Sequence, residues 1–328
     1  MDIPMLVRIE ENRSYWLIRT DAGEYYDEFY HDNFVSIGWD ELNQYSKEDL
    51  YNDVLMDEVV QKAYGEKVKQ PWRVYKQLRR FVHEIAVGDI VIIPSKSHVS
   101  FGEVKSEVEY FEVSESKLAA GLCPFQKRRK VEWIKTVRRE ELDPYLYRLL
   151  NSHFTVTNAN EYSSYIDRTL HSFYVKGDKA HLVLQVTTHE EIYAKDLLKL
   201  INGTLNLADV YNELSSDNVD TNDVEIKLNV QSPGPIEFIS NVWTITAIGV
   251  LLVFIVGGKF TFKKTKESTD ISAESEGLIE KLLKVYQNVK QNKELNHMTE
   301  KQTKETIEKL EVELPEELKK LPEFVQGE

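Results

Sequence analysis

Residues 238–258, FISNVWTITAIGVLLVFIVGG, constrain this chain more than any other stretch. They form 21 consecutive residues without a charge, bounded by Glu237 and Lys259. At about 1.5 Å rise per residue, a helix of this length reaches about 30 Å, the thickness of a bilayer core. Trp243 stands near one end, where an interfacial aromatic belongs, and Lys259, Lys263, Lys264 and Lys266 follow the other. The run therefore reads as one transmembrane helix over 237–258. A buried core helix is the competing reading, kept open by Asn241, Thr244 and Thr246 within the run.

The chain has 328 residues, enough for two or three domains, and 41% apolar residues, enough to bury a core. A net charge of -14 argues against a protein that coats nucleic acid over its whole surface, though not against a local basic site. One cysteine, Cys123, excludes an internal disulfide framework and Cys-rich zinc sites. The start, MDIPMLVRIEENRSYWLIRT, lacks the basic and apolar regions of a secretory signal. The expectation is a single-pass protein with cytoplasmic N-terminal domains and its C-terminus outside, although the lysines after the run favour the opposite orientation.

Along the chain, residues 14–20, 33–39, 90–94, 101–111 and 130–137 carry strand patterns. Residues 24–32, 48–68, a stretch opened by Pro71, 143–150 and 161–170 carry helical ones. A strand at 181–186, helices at 192–201 and 205–214, and a strand at 224–230 suggest a small α/β module over 176–236. The segment QSPGP at 231–235 breaks regular structure. Residues 259–328 read as a charged helical tail, with a short strand at 259–262, helices at 275–293 and 300–310 and a loose end. The fold class is α+β: a partly open β-barrel with helical inserts over 1–175, then the α/β module, the membrane helix and the tail.

The succession of "YWLI", "FVSIGWDEL", "FVHEIAVGDIVIIPS", "FGEVKSEVEYF" and "KRRKVEWIKTV" resembles the EVE domains of the PUA-like superfamily over about residues 14–167. The insert at 45–70 and the cluster at 127–130 depart from that pattern. The resemblance implies a pocket that grasps a modified base or nucleotide, with Trp16, Ser36, Trp39, Ser95 and Lys96 on the pocket side. A flipped base needs a flat wall for stacking and a few polar groups for its edge. Trp16 and Trp39 as barrel core is the plainer alternative.

Two basic islands stand out in this acidic chain. One is Lys127, Arg128, Arg129 and Lys130, near Phe125 and Trp133. The other holds Lys69, Arg73, Lys76, Arg79 and Arg80. Either suits phosphates, anionic lipid or a solvated face. Asp89 on one strand, with Glu103 and Lys105 on the next, matches the spacing of metal-dependent restriction-type nucleases. The histidines form no HExxH, and neither GxGxxG nor a phosphate-loop motif occurs, so no metal or cofactor is assigned. Asn202-Gly203-Thr204 matches a glycosylation pattern but falls on the side read as cytoplasmic.

Three readings follow. The first is a membrane-anchored sensor whose head binds a modified base, nucleotide or nucleic acid in bacterial anti-phage defence. Its partners would include other defence proteins, and its helix, with Gly249, would support homo-oligomers. The second is a tethered nuclease using Asp89, Glu103 and Lys105. The third is a membrane-anchored scaffold.

Overall fold

The computed structural model describes residues 6–214, 219–228, 233–256 and 297–319. The chain divides into two packed units, one of Asn12–Leu170 and one of Met1–Glu11 with His171–Glu328. The architecture is mixed α and β, and the first unit is built on a curled, half-barrel sheet.

In the first unit, strand β2 (Tyr15–Ile18) runs parallel to β4 (Ile90–Pro94) and antiparallel to β8 (Val156–Asn158). β4 pairs with β5 (His98–Val104), and β5 with the long β7 (Lys127–Arg138). The first residues of β7 pair instead with β3 (Phe34–Ile37) and β6 (Glu109–Tyr110), and this change of partner lets the sheet curl. A register shift at Phe101/Gly102 adds to the bend. A Cβ on Gly102 would lie 2.4 Å from the Val131 side chain, so the close crossing of β5 and β7 requires glycine there.

Both faces of this sheet are covered, which explains the unbroken apolar runs YWLI and IVIIP. Trp16, Ile18, Val91 and Ile93 face α1 (Tyr26–His31), α2 (Asp53–Tyr64) and α3 (Trp72–Arg79), in one core with Phe29, Val60 and Leu78. Tyr15, Leu17, Ile90 and Ile92 face α5 (Pro144–Leu150) and α6 (Ser163–Leu170), with Leu146, Leu149 and Ile166. Between β6 and β7 lies the short exposed helix α4 (Glu115–Ala119).

The second unit has a sheet in the order β1 (Val7–Ile9), β9 (Phe173–Lys176), β10 (Lys179–Val186), β12 (Gly234–Asn241) and β11 (Glu225–Leu228), with β13 (Val312–Glu313) also on β10. One face packs under α7 (Ala194–Leu214), α8 (Val242–Val256) and the helix His297–Lys309. The two helices expected at 192–201 and 205–214 are one helix. Gly203 falls mid-helix because a Cβ there would lie 2.3 Å from the Thr303 hydroxyl across a close helix contact.

The apolar run at 238–258 corrects the membrane reading. Its first four residues, Phe238 to Asn241, belong to β12, and the helix that follows is Val242–Val256, 15 residues long. That length spans only about 22 Å. Asn241 ends the strand and caps the helix, its side-chain oxygen accepting from the Thr244 backbone N–H at 2.9 Å. α8 packs against β10, β12, α7 and the helices His297–Lys309 and Glu316–Lys319, with Ile245, Ile248 and Leu252 fully buried. Gly249, expected to serve self-association, faces Leu318 and Leu182 of the same chain.

Among the described residues no helix is long and apolar enough to cross a membrane, so the single-pass localisation and the two-sided topology built on it fall. Glu237, read as the charge outside the bilayer, is fully buried and accepts from the Tyr174 hydroxyl at 3.0 Å, with His181 Nδ1 2.8 Å away. Burial by itself raises the Glu237 pKa, but the His181 bond and nearby positive charge outweigh it and leave the carboxyl below its usual value. The expected segments 259–262 and 275–293, with the lysines after the run, lie outside the described residues.

Candidate nucleic-acid interface

The residues expected to line a base pocket are largely occupied by the fold. Trp16 is 2% exposed, and its indole N–H donates to Asp89 at 2.9 Å. Ser36 is buried in β3 and donates to the Lys127 carbonyl at 2.6 Å. Ser95 closes the β4–β5 turn, accepting from the His98 backbone N–H at 2.8 Å, and Lys96 is exposed in that turn. Trp39 is half-buried against the α1–α3 core, with φ of 63°, an uncommon conformation for a bulky side chain. The short helix after Trp39 is tied down because Asp40 binds Lys127 at 2.9 Å.

The nuclease residues are likewise engaged. Asp89 accepts from the Ser14 and Ala86 backbone N–H groups at 3.0 and 2.9 Å as well as from Trp16. It is a structural acceptor that locks β2 against β4. Glu103 pairs with Lys105 at 2.7 Å and lies 3.9 Å from Arg13, while Lys105 also meets Glu132 at 3.0 Å. Among the described residues no group of three or more His, Cys, Asp or Glu is placed to hold a metal ion.

The basic quartet lies on β7, and strand alternation divides it. Lys127 and Arg129 point inward, 1% and 0% exposed. Lys127 binds Asp40 and, at 2.6 Å, the Asn43 side chain; burial pushes its pKa down and Asp40 restores only part of the shift. Arg129 donates to the carbonyls of Phe81 at 3.0 Å, Ser106 at 3.0 Å and Val82 at 3.2 Å. It thereby satisfies the π-helical turn Arg80–Glu84 that follows α3. Arg128 covers the Phe34 ring at 4.1 Å and donates to the Phe125 carbonyl, and exposed Lys130 pairs with Glu109 at 3.2 Å. This island is internal scaffolding with one cation left at the surface.

The other island is arranged differently. α3 buries Val74, Tyr75, Gln77 and Leu78. Trp72, Lys76, Arg79 and Arg80 recur at the spacings that stack along one helical face, and Arg73 extends it. Trp72 is 44% exposed; Lys76 lies 4.7 Å and Arg73 5.7 Å from its ring. Arg73 is also 5.4 Å from the ring of Phe154, itself exposed. At the far end Arg79 lies over Tyr51 and pairs with Asp53 at 3.3 Å, and Arg80 reaches the Val156 carbonyl. Among the described residues Arg73 and Lys76 form no ion pair. Lys69 precedes the helix, exposed.

The Tyr51 and His83 rings meet with centroids 4.1 Å apart and planes tilted by 38°, and burial lowers the His83 pKa, so that end gains no further charge at neutral pH. The cations of this face are expected from the sequence, and its rings are not. Trp72 was discoverable, since it falls four residues before Lys76. Phe154 was not, because it arrives from a distant loop. The arrangement offers exposed π-faces beside unneutralised cations, which suits unpaired bases joined by phosphates.

A family model described as a domain of unknown function, DUF8426, matches residues 15–160, within the first unit. No curated protein matches the chain.

Proposed function

We propose that the unit Asn12–Leu170 is a recognition head for single-stranded nucleic acid, bound along the exposed face of α3. The observation that carries this is the pair Arg73 and Lys76, which rest on exposed aromatic rings and, among the described residues, meet no carboxylate, in a protein of net charge -14. In such a chain an isolated cation has many acids to choose from, so an unneutralised row with interleaved rings marks a phosphate-and-base surface. The half-barrel sheet, the Gly38-Trp39 corner and the Gly88-Asp89 turn support reading this head as EVE-like and PUA-like. Its contact surface lies on the helical insert, while the expected pocket tryptophan Trp16 serves the core.

The test is fluorescence anisotropy of the full chain with labelled single-stranded DNA, single-stranded RNA and duplex DNA at several salt concentrations. Single strands are expected to bind more tightly than duplex, with affinity falling as salt rises. Arg73→Glu with Lys76→Glu is expected to lower single-strand affinity at least tenfold. Equal binding by wild type and the double variant overturns the proposal.

A further inference from the structure

On the opposite side of the same sheet, α5 and α6 frame an open groove of about 460 Å³, lined by Pro144, Tyr145, Arg148, Glu161, Tyr162 and Tyr165. Its volume falls within the range of small-molecule sites. We infer that this groove binds a mononucleotide, with the base on Tyr145 and the phosphate on Arg148.

The stacking wall is built in advance. Tyr145 and Tyr165 stack with centroids 4.7 Å apart and planes 20° from parallel. Behind them Arg168 lies 4.7 Å from the Tyr165 ring and is held by Asp143. Asp143 also caps α5, accepting from the Tyr145 backbone N–H at 3.0 Å. Tyr145 is therefore a fixed ring whose outer face is open, at 64% exposure. A planar base gains stacking there without paying to order the wall.

The rim supplies two opposite charges. Neither Arg148 nor Glu161 forms an ion pair among the described residues, and the Glu161 carboxylate accepts from the Tyr162 hydroxyl while keeping further acceptor capacity. The guanidinium matches phosphate geometry, and the carboxylate can accept from a base amino or ring N–H. Tyr162 forms the floor at 9% exposure. A quaternary ammonium ligand is the other chemistry that tyrosines attract. Here Tyr145 and Tyr165 face each other, leaving one open ring face instead of a cage, and Arg148 repels a cation.

This site shares no residue with the α3 face, so the two stand or fall separately. The experiment is calorimetry of the full chain with adenosine 5′-monophosphate, adenosine, inorganic phosphate and choline. Binding of the nucleotide is expected, tighter than adenosine or phosphate alone. Arg148→Ala should weaken the nucleotide at least tenfold and leave adenosine unchanged, Tyr145→Ala should weaken both, and Trp72→Ala should weaken neither. Both groove residues are exposed, so the variants retain the fold. Absence of nucleotide binding at millimolar concentration, tighter binding of choline than of nucleotide, or nucleotide binding that survives both groove substitutions overturns the inference. So does its loss in Trp72→Ala, which would move the nucleotide to the other face.

Discussion

The two basic islands differ by little in sequence and by nearly everything in structure. Lys127 to Lys130 are contiguous, but a strand turns alternate residues to opposite faces, so Lys127 and Arg129 go inside and are consumed by Asp40, Asn43 and three carbonyls. The cations between 69 and 80 are spread out, but helical spacing gathers them on one face beside Trp72 and away from the core. A dense charge run is thus no guide to a binding surface until its secondary structure is known. Periodicity, more than density, decides whether cations face solvent.

The inner island is most sensitive at Arg129. Arg129→Ala is expected to cost about 3–5 kcal/mol, because it strands three carbonyls and opens a buried void. Urea denaturation reads this, and a loss below about 1 kcal/mol would mean the inner island is not scaffolding. Next comes Asp89→Ala, which removes the acceptor of two backbone N–H groups and the Trp16 indole. A loss of about 2–4 kcal/mol is expected in the same assay. A fully stable variant would reopen a functional role for this carboxylate.

On the outer island the expected pattern reverses. Trp72→Ala and Lys76→Glu should each change stability by no more than about 0.5 kcal/mol. Removing one phosphate-contacting cation should also reduce the salt slope of single-strand binding by about 0.7. An unfolded variant would show that this face is structural too.

The smallest effect concerns Cys123, buried beside the inner island with its carbonyl bound by Arg128. Burial pushes its thiol from 9.0 up to about 12, so the neutral form is favoured in the folded state. Its contribution to stability is full below the unfolded value of 9.0 and fades as pH rises from there towards 12. Alkylation by iodoacetamide at pH 8 should be negligible in the native protein and prompt in urea. Ready labelling of the native chain would show that this corner opens.

Much of the first unit was legible. The paired runs YWLI and IVIIP, the Gly88-Asp89 turn and the apolar spacing of α3 all reported their environment, because local pattern and burial agree there. The apolar run misled for a physical reason. A helix buried on all sides in a core and one in lipid select the same side chains. The distinguishing mark was Asn241, which announces a helix start four residues into the run and leaves too short a rod. The candidate site was half legible: its cations followed from spacing, whereas Phe154 and the Tyr145–Tyr165 stack depend on chain crossings that no local pattern encodes.

The parallel pairing of β1 with β9, Val7 against Tyr174, carries a consequence for biosynthesis. The two segments are on the order of 160 residues apart, so during translation the first strand leaves the ribosome long before its neighbour exists. The intervening unit has its own cores and can condense in that interval. Its success would then bring two distant stretches of chain within reach, making completion of the outer unit conditional on the inserted one. A defect in the inserted head would therefore surface as misassembly of a sheet in which it has no strand.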